Sequence, residues 1–432
     1  MLSGGQMTNR RLPRSGGFGR SGVVKVSTLA ASQHLATVRK PELLAPAGNI
    51  EKLKIAFQHG ADACYVGGTV FGLRKFADNF SDSELQNAVD YANENGKKVY
   101  VVLNGYAHNS DIESLAPHLE ILEKIKPHGF IISDMGVMQL AKKMTTVDLH
   151  TSTQASVTNL YGCKLWKNAG AKRVILAREV SIEDCKKIKE VLDIELEVFV
   201  HGAMCASYSG KCVISNYTAG RDSNRGGCIQ SCRHKYDIIP TNPQEGPTVT
   251  SHIMNAKDLM GVSLIPQLVE SGIESLKIEG RMKSNLYVAN AVSTYRAAID
   301  DYCDNRQTSF TEYENELKKV SNRHFSTGGL DHMPGTESIY YDSAEGTKGV
   351  DLIGTVKAVQ GNQVIAEIKV PFYKDDLIEF VSQSGNRYQD RLISMKNMSG
   401  IPIEKTGQNC LIQFETTLPI TEFDIIRKPI AI

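Results

Sequence analysis

From Glu42 onward the chain alternates short apolar runs with longer amphipathic stretches, with turn residues between them. The apolar runs are ELLAPAG, ADACYVGG, KKVYVVLN, GFIISD, VDLHTSTQ, RVILARE, ELEVFVHG and SLKIEGR. Short unbroken apolar runs bounded by turns read as strands buried on both faces, the condition of a parallel sheet. Stretches between them, such as SELQNAVDYANENG and LIPQLVESG, space their apolar residues as helices do. Eight strands alternating with helices predict a TIM-type (β/α)8 barrel, since eight is the number at which such a sheet closes, with an open doubly wound sheet as the alternative. The stretch NLYVANAVSTYRAAIDDY then closes a barrel over residues 41–305, and residues 306–345 read as a mixed connector. Over 346–432 the period changes: LIGTVKAVQGNQVIAEIKV, DDLIEFV and NCLIQFETT alternate about Gly-Asn and Ser-Gly turns. That pattern predicts a small antiparallel β-barrel or sandwich domain. Its charges are nearly balanced, which suits a domain that packs against the barrel or an RNA-docking module.

Polar residues stand where the apolar strand bodies end: Asn49, Asn104, Asp134, Thr151 to Gln154, Arg178 with Glu179, His201, and Glu279 with Arg281. In a (β/α)8 barrel these positions line the C-terminal face, where active sites are built. Taken singly, each has a structural account; Asp134 can cap a helix, and Arg178 can pair with Glu179. Their collective placement argues for a site.

A length of 432 residues predicts two or three domains, and 41% hydrophobic residues suffice for a substantial core. A formal charge of +1 gives no global attraction to nucleic acid, so RNA binding would need a local patch. No apolar run approaches the roughly 20 residues of a membrane helix, so the chain is expected to be soluble and cytoplasmic. Residues 1–40 carry Arg10, Arg11, Arg14, Arg20, Lys25, Arg39 and Lys40 and no acid, among many Ser and Gly. That composition suits a disordered tail or an upstream start, with Met7 an alternative, and also an organellar transit peptide. Within it, Gly17 to Gly22 spells a dinucleotide fingerprint, but without the preceding strand and following helix it is a chance match.

The densest chemistry lies in residues 201–236, HGAMCASYSGKCVISNYTAGRDSNRGGCIQSCRHKY, which hold four of the nine cysteines: Cys205, Cys212, Cys228 and Cys232. Glycines are frequent and large apolar residues few, so the segment is a folded-back loop. The other five cysteines are scattered singly and no secretory signal opens the chain, which disfavours a disulfide framework. Zinc prefers closely paired cysteines, and only Cys228 with Cys232 fits; the wide first intervals suit an iron-sulfur cluster better. Lys211, Arg221, Arg225, Arg233 and Lys235 stand against one acid, Asp222. Such cations offset thiolate charge, and they could equally hold an RNA phosphate or a substrate carboxylate.

The run EVFVHGAMCASYSGKCVIS resembles the signature of peptidase family U32, the collagenase-like proteases, and RDSNRGGCIQSCR extends it. Further matches are ELLAPAGNIEKLKIAFQHGADACYVGG, FGLRKFADNF and NAKDLMGVSLIPQLVESGIESLKIEGRMKS, so the resemblance spans about Pro41 to Asp300. Within the family, the GLR…ADNF and RDSNRGGC runs are most similar to the tRNA hydroxylation protein P branch. That resemblance implies prephenate-dependent formation of 5-hydroxyuridine at the tRNA wobble position with a 4Fe-4S cluster; zinc is the alternative metal that the cysteines themselves leave open. The four cysteines would be the metal ligands. Arg74, Arg178 and Arg281 are candidates to grip the two carboxylates of prephenate, because a guanidinium fork matches carboxylate geometry. His201, Arg178, Glu179 and Glu279 are candidate catalytic residues; Asn79, Asn104, Gln154, Arg221 and Arg225 join the candidate substrate contacts. The rival class is a peptidase in which His201 and Cys205 form a nucleophile pair. A nucleophile needs one cysteine whereas the loop supplies four, and His201 serves equally as a hydrogen-bond donor behind the cluster. A zinc-stabilised RNA-binding protein is the third reading.

Overall fold

The computed structural model describes residues 39–69, 79–242, 246–307, 309–320, 323–341, 350–383 and 385–429. The basic segment with its glycine fingerprint falls almost wholly outside them, as does Arg74. Seven parallel strands come first: β1 (Glu42–Pro46), β2 (Ala63–Gly67), β3 (Lys98–Leu103), β4 (Gly129–Ile132), β5 (Leu149–Thr151), β6 (Arg173–Ile175) and β7 (Glu195–Gly202). A hairpin of β8 (Tyr236–Ile238) and β9 (Val249–Ser251) and a short β10 (Asp258–Met260) precede the eighth barrel strand, β11 (Ser275–Ile278). β11 pairs in parallel with both β7 and β1, so the sheet closes into a (β/α)8 barrel and the open-sheet alternative is excluded.

The helices start where local chemistry lets them. α1 (Ile50–Gln58), α2 (Asp82–Glu94), α4 (Met135–Met144), α5 (Leu160–Ala169), α6 (Ile182–Val191) and α9 (Asn285–Cys303) are capped by the side chains of Asn49, Ser81, Asp134, Asn159, Ser181 and Ser284. Each accepts a backbone N–H that the first turn leaves without a partner. Asp134 is therefore occupied as a helix cap, its Oδ1 2.9 Å from Val137 N. α3 (Asn109–Ile125), a short α7 (Ile214–Ala219), α8 (Ile265–Glu270) and α10 (Phe310–Lys318) complete the set.

The barrel interior is not wholly apolar. Arg173 reaches Glu42 and lies 3.1 Å from Glu197, and Glu197 accepts Lys277 Nζ at 2.8 Å. All four are at most about 10% exposed, and two acids balance two bases. A buried ion is tolerated only when it is paired in this way.

The connector is more ordered than its composition suggested. It contributes α10 and β12 (Phe325–Ser326), and β12 lies parallel to β10, which itself pairs antiparallel with the end of β7. A two-residue strand leaves no readable period in the sequence. Beyond it, β13 (Leu352–Gln360), β14 (Gln363–Ile368), β15 (Leu377–Val381), β16 (Arg387–Arg391), β17 (Met395–Asn397), β18 (Cys410–Glu415) and β19 (Ile425–Arg427) form one antiparallel sheet ordered β16-β15-β19-β13-β14-β18-β17. It curls as a half-barrel over its own core, which includes Val356, Val364, Phe380, Phe414 and Ile426. Arg427 of this sheet is fully buried and joins Glu379 to Glu316 of α10. The described residues, from 39 onward, form one compact unit.

Candidate functional site

The cysteine loop leaves the top of β7 through Gly202, whose φ is +106°; a Cβ there would lie 2.3 Å from Glu279 O. It then folds back until Gly210 rests on the turn after β5, so close that a Cβ would meet Gln154 O at 2.0 Å. Only glycine permits both approaches. Side chains fix the rest. Ser209 N donates to Glu179 Oε1 at 3.0 Å, and Arg178 N donates to Ser209 Oγ at 3.1 Å. Asn224 Nδ2 donates to Cys212 O at 3.0 Å, and Tyr106 N donates to Asn224 O at 3.1 Å.

Two of the loop's basic residues are consumed by this anchoring. Arg225 donates to Tyr106 O and pairs with Asp111 of α3, whose carboxyl it holds at about 2. Arg233 is buried and donates to Asn255 Oδ1, Ala256 O and Met204 O. Arg225 is thus a clamp between loop and barrel, which corrects its reading as a substrate contact: its fork is filled from within the protein. Arg221 does not line the cavity described next.

All four loop cysteines, Cys205, Cys212, Cys228 and Cys232, face one cavity of about 240 Å³ at the C-terminal end of the barrel. Burial pushes the Cys232 thiol up, Arg233 opposes that, and the neighbouring Cys205, Cys228 and Cys212 push it further. The nine cysteines are free thiols. Among the described residues no three His, Cys, Asp or Glu side chains converge on a point where one ion could sit. A single tetrahedral zinc would need its sulfurs roughly 3.8 Å apart. A four-iron cluster takes one thiolate at each corner, so its donors stand further apart around a shared space. Four thiols around one cavity are the donor set that either group takes.

The floor of the cavity is the upper inward layer of the barrel, with Tyr65, Val102, Ile131, Ile175, Phe199 and Lys277. Lys277, which lies inside an apolar strand run, went unnoticed in the sequence. A lysine in the middle of SLKI was the available signal. Its ammonium lies 4.5 Å above the Tyr65 ring, and burial lowers its pKa against the pull of Glu197. Around the rim stand Asn104, Gln154, Arg178, Glu279 and Arg281, which the sequence proposed together. The Arg178 guanidinium stacks 4.2 Å over the Phe199 ring and places Nη1 3.9 Å from Cys205 Sγ; its Nε is buried without a hydrogen-bond partner. Arg281 is buried against Gly67, where a Cβ would also meet Asn79. Tyr65 donates to Glu279 Oε2 at 3.0 Å, and Asn104 Nδ2 to Ser152 Oγ at 3.3 Å. Among the described lining residues stand six cations (Arg178, Arg233, Lys277, Arg281, Lys283 and Arg323) and one acid, Glu279. Lys277 and Arg323 are paired with Glu197 and Asp258 behind the wall and Arg233 is held by carbonyl groups, so Arg178, Arg281 and Lys283 carry the local excess of positive charge, which suits an anion.

His201 is not part of this constellation. It is 2% exposed, enclosed by Tyr287, Tyr295 and Phe325, and absent from the cavity wall. Burial pushes its pKa down to about 3. The expected catalytic or cluster-supporting role gives way to that of a core residue, because its side chain turns toward α9 and away from the thiols.

The model of peptidase family U32 matches residues 48–340. The chain belongs to peptidase family U32. Among its curated relatives, tRNA hydroxylation protein P1 of Bacillus subtilis is 41% identical over 94% of this chain and 98% of that protein. The tRNA hydroxylation protein P of Helicobacter pylori strain 26695 is 42% identical over 68% of this chain and 72% of its own. A U32 relative called collagenase, from Porphyromonas gingivalis, is 29% identical over 66% of this chain and 72% of its own. No described helix of this U32 member is long and apolar enough to cross a membrane.

Proposed function

We propose that this chain is a tRNA hydroxylase that converts a wobble uridine to 5-hydroxyuridine, with prephenate as co-substrate and a 4Fe-4S cluster on Cys205, Cys212, Cys228 and Cys232. The observation that carries the reading is the single cavity on whose wall four thiols stand with Arg178, Arg281 and Lys283. The name of the relative that matches 94% of the chain points the same way. Replacing C5–H of a uracil by C5–OH oxidises the base by two electrons, which side chains alone do not do. A bound cluster would supply one-electron chemistry there.

The protein's own groups have separable tasks. Arg178 and Arg281 present planar forks suited to carboxylates, and Lys277 adds charge at the floor. Asn104 and Gln154 offer neutral polar contacts that orient a substrate without repelling it. Glu279, held by the Tyr65 hydroxyl, is the carboxylate on the described cavity wall able to accept a proton. A wobble base lies in a single-stranded loop and can be splayed into such a site. The compartment would be the cytoplasm, or an organelle if residues 1–40 act as a transit peptide. The peptidase reading is weaker, since His201 and Cys205 are not arranged as a nucleophile pair.

Anaerobic purification followed by iron and sulfide analysis tests the proposal. Stoichiometric iron should fall in Cys205→Ala, Cys212→Ala, Cys228→Ala and Cys232→Ala, with loss of tRNA hydroxylation. Arg178→Lys or Arg281→Lys should keep iron and tRNA binding yet lose on the order of 1.5–3 kcal/mol of substrate stabilisation, a tenfold or greater fall in rate. Zinc in a colourless protein would favour the RNA-binding reading; gelatin cleavage that requires Cys205, with no effect on tRNA, would favour the peptidase.

A further inference from the structure

A second cavity, of about 250 Å³, adjoins the first and shares with it the wall formed by Arg178, Met204 and Cys205 to Tyr208. Its far side comes from β12 and the turn after it, including Ser326, Met333 and Ser338. The two spaces differ in charge. The first sets Arg178, Arg281 and Lys283 against Glu279; among described residues the second sets Arg178 and Lys257 against Glu179. A dicarboxylate belongs in the first, and the second suits a neutral, flat, partly apolar group bordered by Met204, Tyr208 and Met333. Tyr208 and Met333 are 59% and 68% exposed, so this cavity opens to solvent at its rim.

Glu179 gives the second cavity its chemistry. One carboxylate oxygen, Oε1, is used by Ser209 N, whereas Oε2 is buried without a hydrogen-bond partner. A buried acceptor left in that state is costly unless a ligand brings the donor. We infer that this second cavity receives the target nucleobase, with Glu179 Oε2 accepting the N3–H of a uracil. The inference rests on the hydroxylase reading above and extends it to the choice of base. Uracil presents a donor at N3; cytosine presents a lone pair there, which a carboxylate repels. The shared wall puts Cys205 and Arg178 between the base and the co-substrate space, so both substrates border Cys205 without competing for one volume.

The test uses anaerobically purified holoprotein, prephenate, and tRNA transcripts that carry uridine, cytidine or N3-methyluridine at the target position. Wild-type protein should hydroxylate uridine at least about tenfold faster than either of the others, the factor expected from one unmet buried polar contact. In Glu179→Gln the amide oxygen can still serve Ser209 while the NH2 group replaces the free acceptor. This variant should lose about tenfold or more of its uridine rate and most of its preference over cytidine, with iron content and tRNA affinity unchanged. Unchanged rate and preference in Glu179→Gln would overturn the assignment of the base while the hydroxylase reading stood. If that variant sheds iron because Ser209 is loosened, the methylated transcript decides with wild-type protein alone: conversion at the uridine rate overturns the inference, and resistance supports it. No hydroxylation of uridine by wild-type protein overturns both readings.

Discussion

His201 is buried among Tyr287, Tyr295 and Phe325, where a charge would lose its hydration, so the folded protein keeps it neutral to about pH 3. In the unfolded chain it titrates near 6.5. The unfolded state therefore binds more protons between those values, and the stability His201 gives is complete above 6.5 and declines as the pH falls toward 3. From pH 7 to pH 5 this one group should remove about 2 kcal/mol, at about 1.4 kcal/mol per unit below 6.5. His201→Phe should lose that much less over the same interval, measured by urea denaturation at both pH values. His59, also buried, is depressed to about 4 and adds to the wild-type acid loss in the same direction. At Lys277 the same burial that lowers the pKa is balanced by Glu197, which explains how a charge survives in the floor of a barrel.

For the cysteine loop as an element, the question is which cations hold it and which face outward. Arg225 and Arg233 are spent on Asp111, Tyr106, Asn255 and the backbone, whereas Lys211 and Lys235 are exposed. Lys211→Ala and Lys235→Ala should each weaken tRNA binding and flatten its dependence on salt by about one phosphate. Arg225→Ala should leave the salt slope alone but free the loop from α3, so iron is lost faster on dilution. Filter binding across a salt series, with iron measured on the same samples, separates the two behaviours. A reduced slope in Arg225→Ala would show instead that its fork reaches phosphate. Sequence composition identified these residues as one basic group; pairing with Asp111, 114 residues away, sorted them.

At the scale of the whole molecule, barrel and half-barrel are joined by Glu316, which pairs with Arg427, Arg387 and Lys319, while Arg427 also pairs with Glu379. Removing one partner of a buried pair leaves an unmet charge, so Glu316→Ala should cost about 3–5 kcal/mol. The double variant Glu316→Leu with Arg427→Met should recover part of that loss, read from urea denaturation of the full chain; an unaffected single variant would mean the seam is not held there. The amino-acid sequence by itself determined the eight barrel strands, the helix cap at Asp134, the change of period after the connector and the four-cysteine loop. Those features depend on neighbours within a few residues, or on runs that must be apolar because both faces of a strand are covered. Only the tertiary structure decided that His201 turns into the core, that Arg225 and Arg233 brace the loop, that Lys277 enters the cavity, and that β12 walls a second space beside Cys205. Each of those outcomes depends on which way a side chain faces and what lies opposite it across many tens of residues. The three-dimensional closure of the barrel, and the folding of a long loop over its mouth, bring those groups together.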